Sequence, residues 1–208
     1  MFLWYGTPYY VRIFCVLEDY FKLSIIIILD GVKKSNMKGV FMKEINIGQA
    51  TQLTSPNPLV MICTQKEDGS TNLAPVSFVT YLSFNPAMLG FAMGKNAFSG
   101  KMIQKFKNVV IAVPAMSLKN AVISCGTTSG SDTDKVQKFD IELKELPDCS
   151  IKIPEDTKLA FVAKLSQTLD VGDHYFYICD IEKIYGDEKK EAVFAWNGYS
   201  KIAPAKEV

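Results

Sequence analysis

The feature that most constrains the fold is a series of short apolar runs, each ended within a few residues by a turn signal. Residues 59–65 form one such run, and Asp68-Gly69 follows it with a dipeptide typical of β-hairpin turns. Two longer runs, residues 159–169 and 175–185, are separated by only a short polar stretch and predict a second hairpin. Many strands joined by short turns favour an antiparallel barrel over a doubly wound sheet.

Residues 72–86 begin as one of these strands but contain small, hydroxylic and proline positions that a plain core strand does not need. Pro75 cannot donate a hydrogen bond to a neighbouring strand, so it predicts an edge strand or an irregularity. Ala74 and Ser77 would let the backbone approach a ligand, and the Ser77 hydroxyl can donate or accept. Asn85-Pro86 ends the strand.

Two short helices are predicted between the strands. Ser99 is a suitable N-cap for a helix that ends at Phe106, and Ser117 is suitable for one that ends near Gly126. The sequence has no internal repeat and no low-complexity linker. We therefore predict one mainly β domain with inserted helices.

Residues 1–41 differ in character from the rest of the chain. A membrane span needs about 20 apolar residues, and this stretch is interrupted by four charged side chains, Arg12, Glu18, Asp19 and Lys22. Neither the basic start nor the cleavage site of a signal peptide is visible. We predict either a non-native upstream extension, with the true start at Met37 or Met42, or a poorly packed or membrane-surface appendage. The domain itself is predicted to span residues 42–208.

Charge and cysteine usage argue against several classes of protein. Lys and Arg total 23 against 22 Asp and Glu, so the basic excess of a nucleic-acid-binding surface is missing. The five cysteines never form Cys-x-x-Cys and the chain has one histidine, His174, which argues against a zinc site. Scattered cysteines, odd in number, are typical of free thiols, so we expect a cytoplasmic protein.

Three polar clusters are candidates for chemistry. Residues 94–99 open a predicted helix with a lysine and a serine, a combination that suits an anion such as phosphate. Residues 129–135 collect small, hydroxylic and acidic side chains on one loop, and residues 172–174 place the only histidine at a hairpin turn. Taken singly, each is better explained by structure alone: a capped helix, a surface loop with local turns, and a structural histidine. No nucleophile elbow, P-loop or dinucleotide fingerprint is present.

Taken in order, the motifs resemble the flavin reductase-like family of FMN-binding split barrels, which includes flavoredoxin and NAD(P)H:flavin oxidoreductases. The motifs are Asn-x-Ala-Pro-x-Ser from residue 72, Gly-Lys at residue 94, Cys-Gly-x-x-Ser-Gly-x-Asp-x-Asp-Lys from residue 125, and Gly-Asp-His from residue 172. The resemblance covers residues 45–199.

The resemblance implies a homodimeric split β-barrel that holds FMN at the subunit interface. Asn72, Ala74, Pro75, Ser77 and Phe78 would border the isoalloxazine; Gly94, Lys95 and Ser99 would hold the phosphate; Ser129, Gly130, Asp134 and Lys135 would lie near the flavin or the partner subunit. His174 would face the nicotinamide or substrate. Lys95 and Ser131 stand where family members often carry arginine, and a lysine lacks arginine's bidentate geometry on phosphate.

The implied activity is hydride transfer from NAD(P)H to FMN, and from there to free flavin, a ferric complex or a protein. That chemistry belongs to the cofactors and needs neither a catalytic triad nor a metal. Two alternatives remain open at this point. One is an electron carrier that holds FMN without NAD(P)H activity, and the other is a split barrel that binds a different ligand, such as haem.

Overall fold

The computed structural model describes residues 12–18, 22–28 and 42–205, which fall into two compact units, Met1–Glu44 and Ile45–Val208. In the first unit, β1 (Arg12–Glu18) and β2 (Lys22–Ile28) pair as an antiparallel ribbon. The rest of the predicted extension lies outside the described residues. Among the helices that are described, none is both long and apolar enough to cross a membrane.

The second unit contains short helices set among many strands. The helices are α1 (Ile47–Leu53), α2 (Phe98–Phe106), α3 (Lys119–Gly126) and α4 (Lys135–Lys138), and a 3-10 turn, Met116–Leu118, precedes α3. The strands are β3 (Val60–Gln65), β4 (Thr71–Val76), β5 (Val79–Phe84), β6 (Ala87–Gly94), β7 (Asn108–Pro114), β8 (Leu143–Leu146), β9 (Cys149–Pro154), β10 (Thr157–Val171), β11 (His174–Gly186), β12 (Val193–Trp196) and β13 (Lys201–Pro204).

Seven of these strands form one antiparallel sheet in the order β4-β3-β7-β10-β11-β6-β5. Both predicted hairpins are confirmed: β3 pairs with β4 across the turn at Gly69, and β10 pairs with β11 across Gly172. Both glycines have positive φ, at +83° and +65°, a conformation that favours glycine. β4 is an edge strand, as Pro75 predicts, and the mainly β fold with inserted helices is confirmed.

The sheet is buried on both faces along β3 and β7, which explains why these strands read as unbroken apolar runs. Alternate side chains point to opposite faces. On one face, Val60, Ile62, Val109 and Ile111 pack in a core cluster with Phe91 and Tyr177. On the other face, Met61, Cys63, Val110 and Ala112 pack in a second core cluster with Val122, Ile153 and Val193.

Neither serine predicted to cap a helix does so. Helix α2 begins one residue before Ser99, with Ala97 at the N-cap, and the buried Ser99 hydroxyl instead accepts a hydrogen bond from Asn72. Ser117 lies within the 3-10 turn, and the residue at the N-cap of α3 is Leu118. At α2, a tertiary hydrogen bond engages the hydroxyl that the sequence pattern assigned to the helix end.

Candidate functional site

Two adjoining cavities lie where β4, β6, α3 and the 129–135 loop meet. The large cavity, of about 500 Å³, is walled mostly by apolar and aromatic side chains, among them Phe78, Met93, Val122, Ile123, His174, Tyr199 and Ile202. The small cavity, of about 190 Å³, is walled by more polar groups, among them Asn72, Ser99, Ser129, Gly130 and Lys135. They share Pro75, Met93, Ala97 and Gly126, so one elongated ligand could occupy both.

Asn72 organises the small cavity by joining β4 to α2. Its side chain is buried, and Nδ2 donates to the Ser99 Oγ at 2.8 Å. A Cβ on Gly130 would lie 2.1 Å from Asn72 Oδ1 and 2.9 Å from the Phe98 ring. The loop therefore approaches β4 and α2 at a distance that any residue larger than glycine would prevent.

Lys135 brings an unmatched positive charge to the wall of the small cavity. Its side chain is 5% exposed, and Nζ donates to the carbonyl oxygens of Leu73 and Cys125, each at 2.9 Å. A lysine ammonium has three donors, and the third has no partner within residues 42–205. No carboxylate of that range lies within 4 Å of it, and burial lowers its pKa. A buried cation without a counter-charge favours an anionic ligand.

Asp134, next along the chain, does not supply that counter-charge. Its carboxylate accepts from the backbone N–H of Gln137 at 3.0 Å, which caps α4, and pairs with Lys66 Nζ at 3.2 Å. These contacts lower the Asp134 pKa, and they hold the carboxylate outside both cavities.

Three ring side chains line the large cavity next to one another. The Phe78 ring lies 5.6 Å from the His174 ring and 6.2 Å from the Tyr199 ring, between centroids. His174 Nδ1 is 2.7 Å from Asp173 Oδ1, a hydrogen bond that lowers the Asp173 pKa. A Cβ built on Gly94 would meet nothing within 4 Å, so the β6 backbone faces open space here.

The structure brings eleven of the thirteen predicted site residues to the two cavities. Pro75, Ser77, Phe78, Gly94 and His174 line the large one, and Asn72, Ala74, Pro75, Ser99, Ser129, Gly130 and Lys135 line the small one. Asp134 and Lys95 line neither.

Lys95 supports the hairpin that carries His174 instead of entering a cavity. Its Nζ lies 2.7 Å from Asp170 Oδ1, which raises the Lys95 pKa, and 5.4 Å from the centroid of the Tyr175 ring. Its backbone N–H donates to the carbonyl of Asp173 at 3.2 Å. The lysine at the small cavity is therefore Lys135, 40 positions later.

The sequence analysis did not select several residues of the large cavity, notably Ile123, Thr127 and Tyr199. Tyr199 had a usable signal, because Asn197-Gly198 between two short apolar runs is a strong hairpin dipeptide. Ile123 and Thr127 had no such signal, since they line the cavity only because α3 packs on β4.

The sequence pattern of the flavin reductase-like domain matches residues 53–203. The chain is 26% identical over 121 residues to an uncharacterized protein of Archaeoglobus fulgidus and 28% identical over 109 residues to one of Pyrococcus abyssi. These alignments cover 58% and 51% of this chain, and 68% and 61% of the two relatives.

Solved structures show the same fold at low sequence identity. Flavoredoxin of Desulfovibrio vulgaris superposes with a TM-score of 0.69 at 16% identity, covering 80% of this chain and 95% of that one. An FMN-binding protein from Thermus thermophilus, solved with bound 1-cyclohex-2-enone, gives a TM-score of 0.68 at 20% identity and covers 83% and 98%. The split-barrel architecture expected from the sequence is confirmed.

Proposed function

Because the chain belongs to the flavin reductase-like family, we propose that it binds FMN across the two cavities and transfers a hydride from NAD(P)H to that flavin. The observation that carries the proposal is the buried, unmatched ammonium of Lys135 in a small polar cavity that opens into a large apolar one. A ligand that fits has an anionic end and a flat apolar end, and FMN has both.

The residues of the small cavity suit a phosphate. Ser99 Oγ accepts from Asn72, so its own hydrogen is available to donate, as is the third N–H of Lys135. Ser129 adds another hydroxyl from the loop. Hydrogen bonds from a charged donor to phosphate are among the stronger ones. In this proposal Lys135, rather than Lys95, provides the positive charge.

The large cavity suits the isoalloxazine ring. Pro75 borders it from β4, Ser77 and Phe78 border it from the β4–β5 connection, and Val122 and Ile123 of α3 add apolar side chains to its wall. The bound flavin would supply the hydride chemistry, whereas these residues hold it, orient it and exclude water.

His174 is proposed to position the nicotinamide. The Asp173 carboxylate accepts a hydrogen bond from the Nδ1–H of His174, which leaves the His174 Nε2 available to a ligand in the cavity. This role is one of orientation and does not require proton transfer. The acceptor would be free flavin, a ferric complex or a protein.

A homodimer is the proposed assembly. The outer face of the sheet carries a group of apolar side chains: Leu82 of β5, Leu169 of β10 and Phe176 of β11. Leu169 and Phe176 are paired across the two strands, and Phe84, two residues after Leu82, is 96% exposed. A Cβ on Gly90 would collide with both Phe176 and Leu82, so these side chains cover the β6 backbone. A second copy would bury this apolar face, which adjoins Phe78 of the large cavity.

Cytoplasmic location is part of the proposal. Cys63, Cys125, Cys149 and Cys179 are free thiols, and burial raises the pKa of Cys125 to about 11 and that of Cys179 to about 12. Thiols that persist unpaired are typical of a reducing compartment.

The proposal is tested by mixing the full chain with FMN, removing excess flavin by gel filtration and recording the visible spectrum. Flavin absorbance should co-elute with the protein and bleach when NADH or NADPH is added without oxygen. Flavin that co-elutes but does not bleach would favour the alternative, an FMN-holding electron carrier. A colourless protein that also fails to oxidise NAD(P)H with excess FMN would contradict the proposal.

A further inference from the structure

The turn between β12 and β13 has an unusual backbone at three consecutive residues. Asn197, Gly198 and Tyr199 have φ angles of 49°, 60° and 71°. Asn and Gly adopt this left-handed region readily, whereas for a bulky side chain it is strained. Among the residues that the structure describes, Tyr199 is the only aromatic with a positive φ.

Contacts from the start of the domain hold this turn in place. The backbone N–H of Asn197 donates to Ser55 Oγ at 2.7 Å, and Ser200 Oγ donates to the Asn197 carbonyl at 2.9 Å. A Cβ on Gly198 would lie 2.9 Å from Gln52 Cγ, so α1 packs closely against the turn. The residues on both sides of Tyr199 are therefore held by hydrogen bonds and close packing.

The result of this conformation is that the Tyr199 ring stands in the wall of the large cavity. It meets the Phe78 ring nearly edge-on, with an interplanar angle of 70°, and remains 40% exposed. Phe78 in turn lies beside His174. All three rings line the large cavity, so a ring compound that enters it could form the offset or edge-to-face contacts that aromatic pairs favour.

We propose that Phe78, His174 and Tyr199 receive the planar ring compound that exchanges electrons with the flavin, and that Tyr199 is the residue that selects planar over puckered rings. The proposal rests on the function proposed above and adds a specificity-determining residue to it. The strained backbone of Tyr199, a residue that lines the cavity, supports this proposal, since strained backbone tends to occur at functional sites.

The test compares a planar probe, naphthalene-2-carboxylate, with its saturated counterpart, decahydronaphthalene-2-carboxylate. The two share charge and approximate size and differ in planarity. Calorimetric titrations use the full chain with FMN added, in the wild type, Tyr199→Phe and Tyr199→Asn. Asn tolerates a positive φ, so the turn should persist without the ring. Lys107→Asn is the matched control, because Lys107 also has a left-handed φ of 66° but lines neither cavity.

We expect the wild type to bind the planar probe more tightly and Tyr199→Asn to weaken that binding by about three- to tenfold. Tyr199→Phe and Lys107→Asn should keep wild-type affinity for the planar probe, and Lys107→Asn should also keep wild-type affinity for FMN. Equal loss of both probes, no preference in the wild type, or no binding of either probe would overturn the proposal. A parallel loss of FMN affinity in Tyr199→Asn would also overturn it, by placing Tyr199 against the flavin itself.

Failure of the underlying function gives a different result. If the wild type retains no FMN on gel filtration and does not oxidise NAD(P)H, the proposed function fails whatever the probes do. The same titrations on the flavin-free protein then decide the role of Tyr199 alone. A preference for the planar probe that depends on Tyr199 would still support a ring-selecting wall, and its absence would overturn it.

Discussion

The two cavities of the site are built in opposite ways. The small one is made of buried groups fixed by internal hydrogen bonds, with Asn72 on Ser99 and Lys135 on the carbonyls of β4 and α3. The large one is bordered by partly exposed side chains in or beside connections: Phe78 and Tyr199 lie between strands, and His174 is the first residue of β11 after the Gly172 turn. A buried hydrogen-bonded group holds one geometry, whereas a side chain on a turn can adjust.

This difference assigns a separate task to each cavity. The small cavity should fix one end of the flavin through charge, so changes there should alter affinity strongly. The large cavity should admit and release ring compounds. Substitutions there should therefore alter which ring compounds bind, with little effect on the stability of the fold. The variants below test that division, from the largest expected effect to the smallest.

Lys135→Met should produce the largest loss, because it removes the only charge proposed to meet the phosphate. Hydrogen bonds to charged groups contribute about 1.5–3 kcal/mol, so FMN affinity should fall by about ten- to a hundredfold. Affinity for riboflavin, which lacks the phosphate, should change little. Fluorescence titration of both ligands separates loss of the phosphate contact from general destabilisation.

Lys95→Met is the matched control for that experiment. Lys95 is also a lysine near the site, but it pairs with Asp170 outside both cavities. Its FMN affinity should stay near the wild-type value. A larger loss in Lys95→Met than in Lys135→Met would move the phosphate to the Gly94-Lys95 loop.

Gly130→Ala should lower stability and FMN affinity together. Its Cβ would lie 2.1 Å from Asn72 Oδ1, so the loop must shift, and overpacking of this kind costs about 1–3 kcal/mol. Gly94→Ala is the counterpart in the large cavity, where the new Cβ would meet nothing within 4 Å. Thermal unfolding should show a lower Tm for Gly130→Ala and an unchanged one for Gly94→Ala. Equal Tm values would mean that the small cavity is no more rigid than the large one.

FMN affinity should fall several-fold at alkaline pH. Burial lowers the Lys135 pKa in the ligand-free protein, so its ammonium loses its proton below the ordinary lysine range and can no longer attract phosphate. The unfolded chain then holds more protons than the folded one, so Lys135 by itself makes the ligand-free protein more stable as pH rises. Affinity and this stability contribution therefore change in opposite directions. Riboflavin, which has the same ring, controls for ionisation of the flavin, and identical pH profiles for the two ligands would exclude Lys135.

His174→Ala should have the smallest effect and should confine it to the large cavity. The apparent KM for NAD(P)H should rise by about three- to tenfold, the worth of one modest contact, while FMN stays bound. Steady-state kinetics with a parallel FMN titration measure both quantities. Unchanged kinetics would remove His174 from the site.

Much of this arrangement could be read from the sequence where the signal is local. Asp68-Gly69 and the 170–174 stretch fix two hairpins through turn chemistry, and Pro75 marks an edge strand because it lacks a donor. The order of motifs also pointed to the right region, because most of the site residues that it predicted line one of the two cavities. These features depend on neighbours in the chain, so no tertiary information was needed.

The sequence was a poor guide where burial or tertiary contacts decide. Lys95 and Lys135 look alike in the sequence, and only the packing of α3 and α4 on β4 shows which one is buried without a counter-charge. Ser99 was expected to cap a helix because a distant partner, Asn72, cannot be seen locally. Asn197-Gly198 predicts the turn that carries Tyr199, but the place of the Tyr199 ring in the cavity wall depends on the contacts of that turn with α1 and Ser55.

The central claim is that a buried charge in the small cavity fixes the phosphate end of FMN. It is tested most directly by measuring the dissociation constants of FMN and riboflavin for the wild-type protein side by side at neutral pH. The account predicts that FMN binds at least about tenfold more tightly, as expected for a charge-assisted hydrogen bond worth about 1.5 kcal/mol or more. Equal affinities for the two flavins would contradict it.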